Sequence, residues 1–253
     1  MKRGLENLTN MKYPGRIIIL GRDKTGENCL VIYAITGRSP SSKARKLVFE
    51  NGEVWVRPTD QAVLMRGNTD LLVYPAVYIG KEGIAVSNGK QTEDIKEHLL
   101  HSMNPSEVLL TALRFWDYEP DAPNYTPRIS GCVLTHKKSA LSIIKRASDG
   151  SSERDVFEVS LIPGKGNMIA TYSGRNIEPL PSFRGNPLEV DIEGKRAKDV
   201  AEDVYQSLTP KNRKEDYRVA VACIFSRDLA KEEFDVFIIN RDERMRFNHE
   251  RFG

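Results

Sequence analysis

The sequence predicts an α+β fold in which helices cover mainly antiparallel sheet, and three observations carry that expectation. Runs rich in β-branched residues recur in both halves of the 253-residue chain. Turn-forming clusters separate neighbouring runs at hairpin distance. Two segments place apolar residues at three- and four-residue spacing, as helices lying on a sheet require.

The elements follow in order. Arg16-Ile17-Ile18-Ile19-Leu20-Gly21 and the run from Cys29 to Ile35 flank Asp23-Lys24-Thr25-Gly26, which predicts a hairpin. Val54-Trp55-Val56, Ala62 to Met65, Leu71 to Ile79 and Ile84-Ala85-Val86 continue the strand series. Several of these are apolar at successive positions, the pattern of sheet covered on both faces. Asn104-Pro105-Ser106-Glu107 combines an N-cap, a proline at the first helical position and an early acid, so a helix starts here. Behind it Val108, Leu109, Ala112, Leu113 and Trp116 share one face. Strands are expected at Ile129 to Leu134, Leu141 to Lys145, Val156 to Leu161 and Met168 to Tyr172. A second helix runs from about Arg196 to Leu208, with Ala197, Val200, Ala201, Val204, Tyr205 and Leu208 on its apolar stripe. Strands at Tyr217 to Phe225 and Phe234 to Ile239 follow, and Arg241 to Gly253 reads as a charged, solvated tail. With no linker, repeat or low-complexity tract, a single domain over residues 1–253 is expected.

Composition narrows the function classes. Thirty-eight basic against 35 acidic side chains leave a net charge of +3, too balanced for a nucleic-acid coat or a polybasic membrane binder. No stretch reaches the roughly 20 apolar residues of a membrane span. Neither nucleic acid nor membrane is therefore expected as a partner. Cys29, Cys132 and Cys223 are far apart and each lies in an apolar run, as buried thiols of a reducing cytoplasm would. Four histidines without paired ligand spacing argue against a metal site. His98 and His101 read as surface partners on a helix.

Three clusters carry candidate chemistry. Thr36 to Lys46 holds four cations, three serines and no acid directly after a strand. Guanidinium and ammonium groups supply charge and hydroxyls supply hydrogen bonds, so the segment suits a phosphate, at about 1.5–3 kcal/mol per charge-assisted bond. A solvated basic turn is the competing reading, and the Walker glycine spacing is absent. Phe115 to Arg128 packs Asp117, Glu119 and Asp121 between prolines and tyrosines. Crowded carboxylates drive one pKa upward, which suits acid–base work, whereas solvated acids on a stiff loop would do nothing. Ser87-Asn88-Gly89-Lys90-Gln91-Thr92 offers amides and hydroxyls for a heterocycle edge, or is simply an Asn-Gly hairpin turn. Pro163-Gly164-Lys165-Gly166-Asn167 reads as a plain glycine turn. No nucleophile elbow is present.

An ordered series of segments resembles the archaeal-type inosine monophosphate (IMP) cyclohydrolase family. It comprises Tyr13-Pro14-Gly15-Arg16, Thr36-Gly37-Arg38-Ser39, Val73-Tyr74-Pro75-Ala76-Val77 and Val86 to Thr92. Asp117-Tyr118-Glu119 with Asn124-Tyr125-Thr126-Pro127-Arg128-Ile129 is the most distinctive stretch, and Thr171-Tyr172-Ser173-Gly174 and Leu180-Pro181-Ser182-Phe183 follow. The resemblance implies the four-layer αββα sandwich of the N-terminal nucleophile hydrolases, used without an N-terminal nucleophile. Met1-Lys2 fits that, although residues 1–12 form a leader before the first matching motif.

The implied reaction closes 5-formamidoimidazole-4-carboxamide ribotide to IMP and water, with no metal or organic cofactor. The resemblance implies that Arg38 binds the phosphate or the oxyanion, with Ser39, Ser41, Lys43 and Arg45 completing the anion pocket. Tyr74 would donate to the formyl oxygen, unless it is a core aromatic with a satisfied hydroxyl, and Glu119, or failing that Asp121, would accept the carboxamide proton. Asn88, Gln91, Thr126 and Arg128 would orient the imidazole carboxamide or brace the acids. An amidohydrolase on the same fold and a non-catalytic purine-ribotide-binding protein are the alternatives, and assembly into a homo-oligomer is left open.

Overall fold

Residues that prefer a pleated, buried surface pair edge to edge into two sheets, a six-stranded and a seven-stranded one. The computed structural model describes residues 4–60, 73–210 and 212–244. In chain order the strands are β1 (Arg16–Arg22), β2 (Cys29–Thr36), β3 (Arg45–Glu50), β4 (Glu53–Pro58), β5 (Tyr74–Gly80), β6 (Gly83–Ser87), β7 (Arg128–Leu134), β8 (Ser139–Arg146), β9 (Ser152–Val159), β10 (Lys165–Ala170), β11 (Leu188–Asp191), β12 (Arg218–Asp228) and β13 (Glu233–Asn240). The helices are α1 (Glu6–Thr9), α2 (Pro40–Lys43), α3 (Gln91–His98), α4 (Pro105–Ala112) and α5 (Ala197–Ser207).

One sheet has the order β11-β10-β1-β2-β12-β13 and the other β3-β4-β5-β6-β7-β8-β9, with antiparallel neighbours throughout. The result is the α+β fold expected from the apolar runs, with its two sheets packed as a sandwich. Strands β2 and β6 bury every residue, because both faces of each sheet are covered. One apolar cluster fills the space between the sheets and reaches α1 and α5. A second joins α3 and α4 to the other face of the seven-stranded sheet. Gly131 of β7 carries no side chain where Leu20 of β1 packs against it across the sandwich.

The predicted caps form. Asn104 Oδ1 accepts from the backbone N–H of Ser106 at 2.8 Å and Glu107 at 3.4 Å, with Pro105 at the first helical position. The second expected helix is α5, with Arg196 and Leu208 as its flanking residues. The 23–26 turn joins β1 to β2, and Gly26 supplies its positive φ of 75°.

Four details differ from expectation. Helix α4 ends at Ala112, so Trp116 joins the same apolar cluster from the turn beyond it, its indole donating to Asp94. Strand β3 was not anticipated, because its cationic start and exposed Glu50 leave a short apolar run at a sheet edge. The Asn88-Gly89 segment is no hairpin turn but the junction of β6 with α3. Lys165 to Asn167 form part of β10, and only Pro163 and Gly164, the latter with a φ of 75°, form the turn. The strand expected at 62–65, the start of the 71–79 strand and the tail beyond 244 lie outside the described residues.

Asn240 fastens the two sheets at one edge. Its side chain accepts from Leu47 N–H at 2.8 Å and donates to Leu47 C=O at 2.9 Å, so one amide satisfies both backbone groups of an edge residue. This fixes β3, and with it Arg45. All three cysteines are buried free thiols. Among the described residues no helix is long and apolar enough to cross a membrane.

Candidate active site

A cavity of about 590 Å³ lies where β1 and β3 begin and β2 and β10 end. Its walls come from the 37–44 segment, the 113–127 loop before β7 and the 171–187 loop after β10. Tyr13 and Tyr217 stand just ahead of β1 and β12.

The closed end is built from Arg16, Arg45 and Glu119, which are 8%, 9% and 2% exposed. Gly15, with a φ of 77°, lets the chain turn tightly against Thr171 and Tyr172, where a Cβ would clash. Arg16 N–H then donates to Thr171 Oγ1 at 3.1 Å. The Nε of Arg16 and that of Arg45 are both buried and without a hydrogen-bond partner. Among the described residues neither guanidinium, nor the Glu119 carboxylate, forms an ion pair within 4.0 Å. The three groups nonetheless share one field. Burial pushes the Glu119 carboxyl above its usual range, Arg16, Arg128 and Arg45 pull it back, and Asp121 adds to the rise. Burial pulls the Arg16 guanidinium down, but Glu119 and the phenols of Tyr74, Tyr33 and Tyr172 outweigh it and hold the pKa well up. Arg45 is lowered by burial and then by Arg16.

The mouth is built differently. Arg38 Nη1 donates to Asn176 Oδ1 at 3.0 Å, Nη2 donates to Glu178 Oε1 at 2.9 Å, and the guanidinium lies 5.1 Å from the centre of the Tyr13 ring. Tyr13 stacks on Tyr172 and meets Tyr217 edge-on, giving an aromatic rim. Ser39 caps α2 by accepting from Ser42 N–H at 3.1 Å.

The acid loop is held by its own backbone. Glu119 N–H donates to Thr126 C=O at 2.9 Å, and Asp121 accepts from both Thr126 N–H and its hydroxyl. The Thr126 and Tyr172 hydroxyls are 2.7 Å apart. Burial raises the Tyr172 phenol to about 12.

Of the residues expected from sequence, Arg38, Ser39, Arg45, Glu119, Asp121 and Thr126 line this cavity together. Tyr74 does not line it. It is 1% exposed in the core between the sheets, with its hydroxyl 3.0 Å from that of Tyr33. Ser41 and Lys43 also lie outside the lining, Ser41 Oγ 3.1 Å from Ser39 Oγ and Lys43 over the Tyr217 ring. Asn88, Gln91 and Arg128 form a brace behind the loop. Asn88 donates to Pro127 C=O and accepts from Ile129 N–H and Gln91, while Arg128 donates to Gln91 and Asp117 C=O. Arg16, Tyr13, Ser42, Asn124, Tyr172, Asn176, Glu178, Leu180 and Tyr217 also line the cavity, and the sequence reading gives none of them a role, although Tyr13, Arg16, Asn124, Tyr172 and Leu180 lie in the motifs of the resemblance. One signal was available for Arg16: a cation opening an apolar strand has to be solvated or used.

Residues 13–229, a span that includes every lining residue, match the family described as IMP cyclohydrolase-like protein. The chain belongs to that family. Within it, an IMP cyclohydrolase of Methanothrix thermoacetophila is 26% identical over 193 residues, covering 76% of this chain and 85% of that protein. An IMP cyclohydrolase of Methanopyrus kandleri is 30% identical over 182 residues, covering 68% and 89%. One from Haloquadratum walsbyi is 29% identical over 150 residues, covering 59% and 69%. The ordered motifs from Tyr13 to Phe183 fall inside the family match.

Proposed function

We propose that this chain is an IMP cyclohydrolase, closing 5-formamidoimidazole-4-carboxamide ribotide to IMP with loss of water. The carrying observation is a family match over a cavity where a buried carboxyl with a raised pKa sits among arginines. The carboxamide nitrogen attacks the formyl carbon of the same molecule and a C–N bond forms. The formyl oxygen then leaves as water, with one hydrogen from the carboxamide nitrogen and one from the formamido nitrogen. Amide nitrogen is a weak nucleophile, so the site must fix the reactive rotamer and remove the proton as attack proceeds. Glu119 accepts that proton. Its raised pKa brings it nearer the working pH, where a base is most effective. The flat imidazole packs against the tyrosine rim, and Arg38, Ser39 and Arg45 supply anion contacts. Tyr74 acts from behind, through the field it shares with Arg16 and Arg45. In this reading the two sheets with their outer helices form the αββα sandwich of N-terminal nucleophile hydrolases, and the enzyme works on a purine ribotide in the cytoplasm without a cofactor.

The test is a ring-closure assay on purified protein with the formamido ribotide, followed by IMP absorbance. Acceleration over the uncatalysed reaction is the expected result. A rate equal to that of buffer would overturn the function.

A further inference from the structure

We propose that Arg16, with Arg45 beside it, holds the formyl oxygen as negative charge builds on it, leaving Arg38 at the mouth to the ribotide phosphate. This rests on the ring-closure reading and assigns the two ends of the substrate to the two ends of the cavity.

Three observations carry it. The first is unmet donor capacity. Arg16 and Arg45 line the cavity, are more than nine-tenths buried, and each leaves Nε without a partner. A buried donor left unpaired is costly, so each guanidinium is under-satisfied by the protein and can draw a charged oxygen toward the closed end. By contrast, the Arg38 guanidinium already donates to Asn176 and Glu178, and its side chain is 24% exposed. It is a partly solvated cation, placed where a phosphate enters from water.

The second is charge matching through the reaction. Before attack, the acid in the field of Arg16 is Glu119. When the carboxamide proton moves to Glu119, that carboxylate becomes neutral and the charge appears on the formyl oxygen. Net charge at the closed end is unchanged, and the same guanidiniums balance it in both states with little reorganisation, which is how a preorganised site lowers a barrier. The electron pair of the formyl C=O moves onto oxygen as the C–N bond forms. The oxygen is then protonated and departs as water.

The third is exclusion. A phosphate dianion at Arg16 would sit against the Glu119 carboxylate and raise its cost of ionisation further. At Arg38 it meets Ser39 and Ser42, and the carboxylate there, Glu178, is 68% exposed, so water screens the repulsion that the buried Glu119 would exert in full. The groups facing Arg16 are Glu119 and the hydroxyls of Tyr33, Tyr74 and Tyr172, with Arg45 repelling it and Arg128 and Asp121 further round.

The experiment compares wild type with R16Q and R45Q, using the formamido ribotide and its dephosphorylated riboside. The expected result is a kcat lowered about 100-fold or more by R16Q, and less by R45Q, as for loss of an oxyanion donor. KM for the ribotide stays within about threefold, and IMP binding by calorimetry persists. Should R16Q melt early, R16K carries the test, since it keeps the charge and loses the planar fork, and kcat must still fall. Wild-type activity with unchanged kcat in these variants overturns the assignment alone. So does an R16Q effect on KM that is present with ribotide and absent with riboside, since that puts the phosphate at Arg16. An inactive wild type instead removes the ring-closure reading.

Discussion

The closed end and the mouth of the cavity both present arginine beside a carboxylate, yet the two pairs are built on opposite principles. At the mouth Arg38 and Glu178 form a direct 2.9 Å ion pair, with Glu178 68% exposed, where water screens the interaction and little energy rests on it. At the closed end Arg16, Arg45 and Glu119 make no ion pair within 4.0 Å among the described residues, but are buried together where charges act at longer range. Contact is therefore a poor guide to consequence in this site. Burial is the better one.

Replacing the closed-end acid is the sharpest way to break that contrast. E119Q keeps the shape and removes the base, so ring closure should fall by about 100- to 10,000-fold with the fold intact. A loss under tenfold in a kinetic assay would move the base to Asp121. The same residue gives a signed pH effect. Because the Glu119 pKa is raised in the folded chain, activity that needs the carboxylate is lost as pH falls through that raised value. Stability runs the other way. A folded pKa above the unfolded one favours the neutral acid, so this stabilisation is full below the unfolded pKa and is lost as pH rises through the folded one. E119Q should thus gain in melting temperature relative to wild type as pH rises. A difference flat with pH would contradict the assignment.

At the mouth the effects should be smaller and fall on binding. R38Q should raise KM for the ribotide by about tenfold, the loss of one partly screened charge-assisted contact, with kcat little changed. A kcat effect larger than that of R16Q would reverse the roles of the two ends. E178Q frees Arg38 from its acid, and KM should drop by about threefold or less. Smallest is Ser39→Ala, which removes the cap of α2 and should cost about 0.5–1 kcal/mol in urea unfolding, and should raise KM for the ribotide by less than R38Q does.

Much of the fold was legible because its signals are local. Asn104-Pro105 predicted the start of α4, the 23–26 turn predicted the first hairpin, and the stripe from Ala197 to Leu208 predicted α5. Strand β3 was missed because half of it is polar and its pairing partner, not its own sequence, makes it a strand. In the site, Glu119 and Asp121 were visible as crowded acids, although burial outranks crowding as the cause of the raised pKa. Arg16 and Tyr172 lie in motifs of the resemblance but carry no role in the sequence reading, because each also fits the end of a strand, and Tyr217 reads only as a strand aromatic. Tyr74, a direct contact in the resemblance, instead meets Tyr33, 41 residues earlier in the chain, inside the core.

Where most of the strands lie, where α4 and α5 begin, and which loops collect cations and acids were settled by the order of residues alone, since period, caps and turn chemistry act within a few positions. Which arginine lies deep and which lies in water was decided only when two sheets closed on each other, because desolvation depends on neighbours more than a hundred residues away, as Thr171 is from Arg16.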